Sequence, residues 1–301
     1  MLGTRVDLVA GGRSQLWLAE AMDSAFSEMA RLSAQMSRYE PGSAVGKINR
    51  AAGSGGCVPV SSELMAVLQA GLSLHARTGG MFDMTVGALQ SWHFEPGSHA
   101  SVPPSDVLAR EQGLIGSSGL ILGARAKTAR LARSGMALDL GGVAKLPILA
   151  AGMRRLEDWG VKNALINGGG DVLYLGRNQG QPWRVGVRDP RQPGRVLGVL
   201  ALQGQGVLAA SGDYERCFFE NGQRQHHILD PKTGRPSRGA CGVSLWARDI
   251  AAVNGLGAAL MIGGREFAQD LAARTPELQI MLVDQDQLMW ATAVMRNSLQ
   301  S

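Results

Sequence analysis

The sequence predicts an α+β fold, with mixed and antiparallel sheets and flanking helices. Helical periodicity alternates with short hairpin-like segments along the 301 residues, which is typical of α+β proteins. The 41 glycines supply the tight turns that many short strands need. No internal repeat and no convincing linker interrupts the chain, so we expect a single domain over residues 1–301, with a division into two lobes left open.

The first elements are predicted from apolar spacing. Residues 4–9 have the pattern of a strand, and a long amphipathic helix over 14–36 follows, because apolar side chains recur close to every 3.6 residues. The predicted core face of this helix consists of Leu16, Ala19, Met22, Phe26, Met29 and Leu32.

The bounds of the next two helices are predicted from loop, capping and glycine residues. A loop over 37–43 leads into a short helix that ends near Asn49. A further helix over 61–78 is opened by Ser61-Ser62-Glu63 and stopped by Gly79-Gly80.

The remaining elements follow from apolar runs and glycine turns. Residues 95–118 are rich in Pro, Ser and Gly and are predicted to form a surface excursion. The elements expected after it are strands around 120–131 and 136–140, a helix over 144–159, short strands from residue 164 onward, a helix near 250–262 and a final strand over 279–283.

Composition excludes several classes of protein. A hydrophobic content of 45% with 18% charged residues is that of a globular chain. The net charge of +5 comes from scattered arginines rather than from a basic block, which argues against nucleic acid and remains compatible with a small anionic ligand. Cys57, Cys217 and Cys241 form an odd set without metal-type spacing, so we expect free thiols. We expect a soluble chain without a transmembrane segment or a signal peptide, and the natural compartment stays open.

The most informative motif is HHILDPKTG at 226–234. It brings a titratable pair, His226 and His227, close to the carboxylate of Asp230 in an Asp-Pro turn. A candidate hairpin, residues 214–219 with a turn at Asn221-Gly222, precedes the pair and is expected to aim both rings at one face. Asp-Pro and Thr-Gly are also ordinary turn chemistry, so a structural role explains part of the motif equally well.

Two glycine-rich segments could bind an anion. In LDLGGVAK at 138–145, a glycine pair and a lysine enter a helix, where main-chain N–H groups and the positive charge favour phosphate. The spacing is not that of a Walker loop. INGGGD at 166–171 could let a ligand approach the main chain closely, or could be only a sharp turn.

Taken in order, these motifs resemble the ApbE-type flavin transferase family, the FAD:protein FMN transferases. The matching segments are MLGT at 1–4, residues 36–49 beginning with MSRY, TGGMFDMTVG at 78–87, LDLGGVAK, INGGGD, and SGDYER at 211–216 joined to HHILDPKTG. The resemblance implies an enzyme that splits FAD at its pyrophosphate, releases AMP, and attaches FMN through a phosphoester to a threonine of an acceptor flavoprotein.

The resemblance also implies roles for individual residues. His227 is the implied base that takes the proton of the attacking threonine, and Asp230 is implied to orient that ring or to bind the flavin. Tyr39 is implied to lie beside a ring of FAD, Lys145 to offset phosphate charge, and the glycines to present N–H groups to the pyrophosphate. The implied FAD contacts are Tyr39, Asp83, Thr85, Gly141, Gly142, Lys145, Gly168, Gly169, Gly170, Asp213 and Asp230.

The chain departs from the family at the implied Mg²⁺ site. The family pattern there resembles A-D-A-L-S-T-A, and this chain has Asn254 in place of the carboxylate and Ala258 in place of the hydroxyl. Mg²⁺ prefers charged oxygen ligands, which an amide does not provide. Asp249, five residues back along the predicted helix, would point about 140° away. Any Mg²⁺ is then expected to depend on main-chain carbonyls (Ala144 first), water and the FAD phosphates.

Three functions remain open at this level. The first is a working FMN transferase with a weakened metal site. The second is a homologue that binds FAD, or hydrolyses it slowly, without modifying a protein. The third is a structural or partner-binding module that keeps only the fold. The presence of Tyr39, Asp83, Lys145, Asp213 and His227 argues against the third.

Overall fold

The computed structural model describes residues 3–95, 97 and 100–300. It has the predicted α+β class, with antiparallel sheets and flanking helices. The chain forms two compact units. The first unit comprises Met1–Ser33, Lys145–Gly212 and Gly239–Ser301, and the second comprises Ala34–Ala144 and Asp213–Arg238. The expectation of one domain over the whole chain stays a prediction.

The helices agree with most of the predicted ones. They are α1 (Gln15–Met36), α2 (Ala44–Arg50), α3 (Ser62–Arg77), α4 (Ser105–Gln112), α5 (Gly141–Asp158), α6 (Leu256–Arg274) and α7 (Ala293–Ser298), with short 3₁₀ helices at Ser117–Gly119 and Ile250–Ala252. Over the described ranges, none of these helices has the length and apolar character needed to cross a membrane.

The strands are short and cluster in the second half of the chain. They are β1 (Val6–Gly11), β2 (Val58–Pro59), β3 (Leu120–Gly123), β4 (Thr128–Leu131), β5 (Asn163–Gly168), β6 (Asp171–Gly176), β7 (Trp183–Arg188), β8 (Val196–Leu202), β9 (Gly204–Gly212), β10 (Cys217–Glu220), β11 (Gln223–His226), β12 (Gly242–Ala247), β13 (Gln279–Val283), β14 (Met289–Ala291) and β15 (Leu299–Gln300).

The first unit is built on a seven-stranded antiparallel sheet in the order β1-β5-β6-β9-β12-β13-β14. A smaller sheet, β15-β8-β7, shares a hydrophobic core with it. Trp183 and Leu200 of the small sheet are buried in the same cluster as Val172 and Met281 of the large one. The strand predicted over 279–283 is therefore correct but not final, because β14, α7 and β15 follow it.

Helix α1 has the predicted length, but its buried face is only partly the predicted one. Leu16 is 75% exposed, whereas Ala21, Ala25 and Met29 are fully buried. A side chain at Gly152 of α5 would lie 2.7 Å from the Met29 sulfur, so the two helices approach each other closely. The prediction is correct for Met29 and Leu32, which are buried, and wrong for Leu16. Ala21 and Ala25, which it left out, also belong to the buried face.

The second unit carries a small sheet, β2-β4-β3, and the β10-β11 hairpin. Its helices begin where the capping residues predict. The Oγ of Ser43 accepts from Gly46 N at 2.8 Å before α2, and the Oγ of Ser61 accepts from Leu64 N at 3.1 Å before α3.

The predicted surface excursion over 95–118 contains α4, whose Leu108 is buried against Leu89 and Trp92 while the other residues of the helix are exposed or half-buried. Residues 96, 98 and 99 of this range lie outside the described residues. One prediction for the second unit is wrong. The predicted strand over 136–140 is reduced to one bridge between Val86 and Ala137.

The side-chain amide of Asn49 explains why that strand does not form. It accepts from Leu138 N at 2.7 Å and donates to Leu138 O at 3.1 Å, in the place of a neighbouring strand.

Candidate functional site

The strand that ends at the histidine pair is fixed by a two-residue hairpin. Strands β10 and β11 pair from Cys217–His226 to Glu220–Gln223, and Asn221 and Gly222 between them have φ values of 50° and 75°. Positive φ at both turn residues is what such a hairpin requires. The predicted hairpin is confirmed.

The two histidines do not share a face, because neighbouring residues of an extended strand point to opposite sides. His226 is buried, and its Nε2 lies 3.0 Å from Ser237 O. His227 is half-buried and continues the ladder, with its main-chain N–H donating to Arg216 O at 3.1 Å. The expectation that the hairpin aims both rings at one face is wrong.

The surroundings of His227 keep its ring neutral at pH 7. Burial, and then the positive charge of Arg216, lower the pKa of His227 to about 4, while the carboxylate of Asp139 acts in the opposite direction. The Nδ1 atom of the ring is buried and has no hydrogen-bond partner among the described residues. A neutral imidazole can accept a proton.

Asp139 is the acidic residue that the sequence analysis missed. Its Oδ1 accepts from Gly141 N at 2.7 Å, and its Oδ2 forms an ion pair with Arg38 at 3.1 Å. The first contact is made to the N–H two residues ahead, as in an Asx turn, at the first residue of α5, which begins three residues before its predicted start at Ala144. The signal was present, because an aspartate in a turn typically bonds its own main chain two residues ahead.

Asp230, which was predicted to orient His227 or to bind flavin, shapes its own turn instead. Its Oδ1 accepts from Lys232 N at 2.9 Å, and its carbonyl oxygen accepts from Thr233 N and Gly234 N. No hydrogen bond joins Asp230 to His227 within the described chain, so the orienting role has no support, and contact with flavin stays a prediction.

Tyr39 presents a ring surface. It is 59% exposed, and its hydroxyl donates to Glu95 Oε1 at 3.1 Å. The Arg38 guanidinium lies 5.0 Å from the ring centroid. An exposed aromatic ring held by a neighbouring cation and a hydrogen bond is suited to stacking against a planar ligand.

Asp83 and Thr85 are turned into the protein. The Oδ1 of Asp83 accepts from both Thr85 N and Thr85 Oγ1, and its Oδ2 accepts from Ser117 N at 3.1 Å and lies 3.1 Å from His75 Nδ1. Thr85 Oγ1 also accepts from Gly116 N at 2.8 Å. These contacts give the pair a structural role in joining two loops, and direct contact with FAD stays a prediction.

Asp213 is also buried. An Arg224 Nε atom lies 4.0 Å from its Oδ1, and its negative charge acts on His226. Its contact with FAD likewise stays a prediction.

In the first unit, Lys145 has an acidic partner. Its Nζ lies 2.8 Å from Asp171 Oδ2, and Asp171 Oδ1 accepts from Ala210 N at 2.9 Å. Asp171 closes the INGGGD segment and was not among the predicted site residues.

The glycines of INGGGD have reasons within the protein. Gly169 and Gly170 form the turn between β5 and β6 with φ values of 64° and 96°. A Cβ on Gly169 would lie 2.4 Å from Thr4 Oγ1, and one on Gly168 would lie 2.8 Å from Leu149 Cδ1. Gly170 N donates to Asn167 Oδ1 at 3.0 Å. Turn geometry and packing therefore account for all three, and close approach of FAD stays a prediction. Of the first matching segment, Met1 and Leu2 lie outside the described residues.

Gly141 and Gly142 lie exposed at the start of α5. A Cβ on Gly142 would lie 3.0 Å from the Phe82 ring, whereas a Cβ on Gly141 would meet only Asp139 Oδ1, at 3.1 Å. Exposed glycines at the N-terminus of an 18-residue helix are suited to binding a phosphate.

The residues predicted for Mg²⁺ do not fit a site for this ion. Asn254 lies in a turn and Ala258 in the first turn of α6, and the two positions supply one amide oxygen and no carboxylate. Among the described residues, no group of three or more His, Cys, Asp or Glu could hold a metal.

Ala144 lies in the first turn of α5, and its role as a main-chain ligand of Mg²⁺ stays a prediction. The helical-angle argument for Asp249 is wrong, because this residue caps the 3₁₀ helix and accepts from Ala251 N at 2.9 Å.

Comparison with known proteins shows the family of this chain. The sequence model of the ApbE family matches residues 2–282. A FAD:protein FMN transferase of Rhodobacter capsulatus is 30% identical, with 100% of this chain and 57% of the relative covered. One from Haemophilus influenzae is 28% identical, with 81% of this chain and 72% of the relative covered. The chain thus spans little more than half the length of the first of these relatives.

Solved structures share the fold. The ApbE protein of Thermotoga maritima superposes with a TM-score of 0.87 at 28% identity, covering 100% of this chain and 97% of that one. The apo form of the Pseudomonas stutzeri flavinyl transferase ApbE has a TM-score of 0.79 at 25% identity, covering 99% of this chain and 98% of that one.

Proposed function

The chain belongs to the ApbE family, and on that premise we propose that it is a FAD:protein FMN transferase. Its substrates are FAD and an acceptor flavoprotein, and it attaches FMN to a threonine of the acceptor through a phosphoester bond. AMP is the second product.

The observation that carries this proposal is the neutral His227 ring at the end of a fixed strand. The threonine hydroxyl gives its proton to the His227 ring as its oxygen attacks the phosphorus on the FMN side of the pyrophosphate. The bond from that phosphorus to the bridging oxygen breaks, and AMP leaves with the bonding electrons. A positioned base of this kind contributes about 10²–10⁴-fold to the rate.

Substrate binding strengthens this base. A ring with a pKa of about 4 is neutral at pH 7 but takes up a proton weakly. Negative charge from FAD phosphates close to the ring favours its protonated form and raises its pKa. The base is then strongest when the phosphate that it serves is present.

For the FAD contacts, the exposed residues have the best support. We propose that Tyr39 stacks on a ring of FAD and that Gly142 donates its main-chain N–H to the phosphates. Gly141 would do the same only by giving up its bond to Asp139 Oδ1. Lys145 would offset phosphate charge, in competition with Asp171. The other contacts implied by the resemblance are proposed on that ground alone: Asp83, Thr85, Gly168, Gly169, Gly170, Asp213 and Asp230.

The test is a transfer assay with FAD and a peptide from a flavoprotein that carries one threonine. We expect flavin fluorescence on the peptide after denaturing separation, with one AMP released for each flavin attached. The control peptide has alanine in place of threonine and should stay unlabelled. Release of AMP and free FMN with no labelled peptide would show a hydrolase and overturn the proposal.

A further inference from the structure

His226 is a buried polar ring that the proposed reaction does not use. It is 1% exposed, and its Nε2 lies 3.0 Å from Ser237 O. A carbonyl oxygen can only accept, so Nε2 carries the hydrogen and Nδ1 is the unprotonated nitrogen. This Nδ1 is buried and without a hydrogen-bond partner in the described part of the chain. Such a ring costs stability that an apolar side chain would not cost, which points to a role other than packing.

The segment that carries His227 is held from both sides. On one side, His227 N donates to Arg216 O at 3.1 Å. On the other side, Ser237 N donates to Ile228 O at 2.9 Å, and the His226 ring adds its bond to Ser237 O. The His226 side chain therefore helps to fix the main chain immediately before His227.

His227 lacks the partner that usually orients a catalytic histidine. In most such sites one ring nitrogen is hydrogen-bonded to a third group that fixes the ring. The Nδ1 of His227 is buried and has no such partner among the residues that the structure describes. The position of the ring must then come from the main chain that carries it and from packing.

We propose that His226 is a positioning residue for His227. Its neutral ring, fixed as one tautomer, holds residues 226–228 against Ser237 and so places the His227 ring for proton transfer. This inference rests on the proposed transfer reaction, because it assigns His227 the role of the base.

The charges around the pair agree with a ring that stays neutral. Burial lowers the pKa of His226; its bond to Ser237 O and the charge of Asp213 oppose that effect, and Arg238 and Arg224 add to it. A neutral neighbour matters because a cation beside His227 would disfavour uptake of the threonine proton. The groups whose charge acts on the pKa of His227 are Arg216 and His226, which lower it, and Asp139, which raises it.

Two substitutions at position 226 separate positioning from other roles. His226→Gln keeps a side-chain N–H that can reach Ser237 O and cannot become charged, whereas His226→Leu has no donor. We expect His226→Leu to lower kcat by about ten- to a hundredfold, with the KM for FAD changed less than about twofold, because misplacing a reacting group affects the chemical step. His226→Gln should keep kcat within about threefold of the natural chain, and its pH–rate profile should be unchanged.

Three results would overturn the positioning role. Full activity of His226→Leu would show that the His226 ring is dispensable for transfer. Loss of activity in a folded His226→Gln that still binds FAD would assign proton chemistry to His226. A shifted pH–rate profile in His226→Gln would mean that the ring titrates in the reaction.

A measurement that does not depend on transfer keeps this inference separate from the proposed function. Ring ¹⁵N spectra of the natural chain should show His226 as one Nε2–H tautomer at pH 7 to 8, with any protonation below the ordinary histidine value of 6.5. In His226→Leu the His227 ring signals should move or broaden. A His226 ring that is protonated at pH 7, or unchanged His227 signals in that variant, would contradict the inference. An inactive natural chain with the expected spectra would overturn the transferase proposal and leave His226 as the residue that fixes the His227 ring without a role in proton transfer.

Discussion

Lys145 Nζ lies 2.8 Å from Asp171 Oδ2, so the cation expected to meet a phosphate already has an anionic partner in the protein. The Asp171 side chain is almost fully buried, and its other oxygen accepts from Ala210 N. This arrangement orients the lysine before FAD binds, and it also means that the phosphate must compete with a carboxylate.

We expect Lys145→Ala to reduce both stability and FAD affinity. Removing the lysine leaves the buried Asp171 charge uncompensated, at a cost of about 1–3 kcal/mol in the free energy of unfolding. The double variant Lys145→Ala, Asp171→Asn should recover most of that stability but not the FAD affinity. Urea unfolding and FAD fluorescence titration measure the two effects. Recovery of FAD affinity in the double variant would show that Lys145 does not contact the ligand.

His227→Ala should abolish transfer and leave FAD binding within about threefold, because a base acts in the transition state more than in ground-state binding. The matched control is His93→Ala, which removes an exposed histidine and should keep full activity. Transfer rates and FAD dissociation constants are measured for both. An active His227→Ala protein would show that another group takes the proton.

The low pKa of His227 predicts a specific pH dependence. The value for the free enzyme is about 4, so kcat/KM should stay flat down to about pH 5 and fall with a midpoint near 4. The corresponding fall of kcat at low pH should have its midpoint at a higher pH, because bound phosphates raise the pKa of the His227 ring. A kcat/KM that halves near pH 6.5 would mean that the ring is not desolvated.

The lowered pKa of His227 also makes the free energy of unfolding depend on pH. The folded pKa lies below the ordinary histidine value of 6.5, so the unfolded chain binds more protons between the two values. This contribution to stability is fully present above pH 6.5 and is lost as the pH falls toward 4. His227→Gln, which cannot titrate, should therefore lose less stability than the natural chain over that interval. Thermal unfolding at several pH values measures the difference, and equal slopes would contradict it.

Mg²⁺ should bind weakly in the absence of FAD, because Asn254 and Ala258 offer no charged oxygen. We expect a low transfer rate at ordinary Mg²⁺ concentrations and a higher rate in the double variant Asn254→Asp, Ala258→Thr. The measurement is transfer rate against Mg²⁺ concentration for both proteins. If the transfer rate of the natural chain already saturates at a low Mg²⁺ concentration and the double variant is no faster, the Mg²⁺ site of the natural chain is not weakened.

A substitution at Gly169 should destabilise the turn between β5 and β6, whether or not Gly169 contacts FAD. Gly169→Ala meets both a positive φ of 64° and the Thr4 side chain, whereas Gly204→Ala has a φ of 79° and nothing within 4 Å. Both should lose about 1–2 kcal/mol through the left-handed conformation, and only Gly169→Ala should lose more. Chemical denaturation compares the two. Equal losses would mean that Thr4 moves away without cost.

The sequence predicts best what local chemistry determines. Ser43 and Ser61 cap the helices that they were expected to cap, and Asn221-Gly222 forms the expected hairpin. It predicts poorly what depends on a distant partner. The amide of Asn49 replaces a strand neighbour for Leu138, and no pattern of spacing could reveal this.

The residues of the candidate site also fall into those that the sequence predicts and those that only the folded chain reveals. The motif order leads to His227, Tyr39 and Lys145, because their residue types are visible in the sequence. The roles of Asp139 and Asp171 emerge only from the ion pairs with Arg38 and Lys145. Burial separates Asp83 and Thr85 from the exposed residues, and burial is a property of the folded chain.

The paired bonds between Asn49 and Leu138 require an amide, and not a carboxylate, at position 49. An aspartate at position 49 could still accept from Leu138 N, but its second oxygen would face Leu138 O without a hydrogen between them. The single change Asn49→Asp would therefore loosen the segment ahead of α5 while leaving every residue proposed to contact FAD chemically intact.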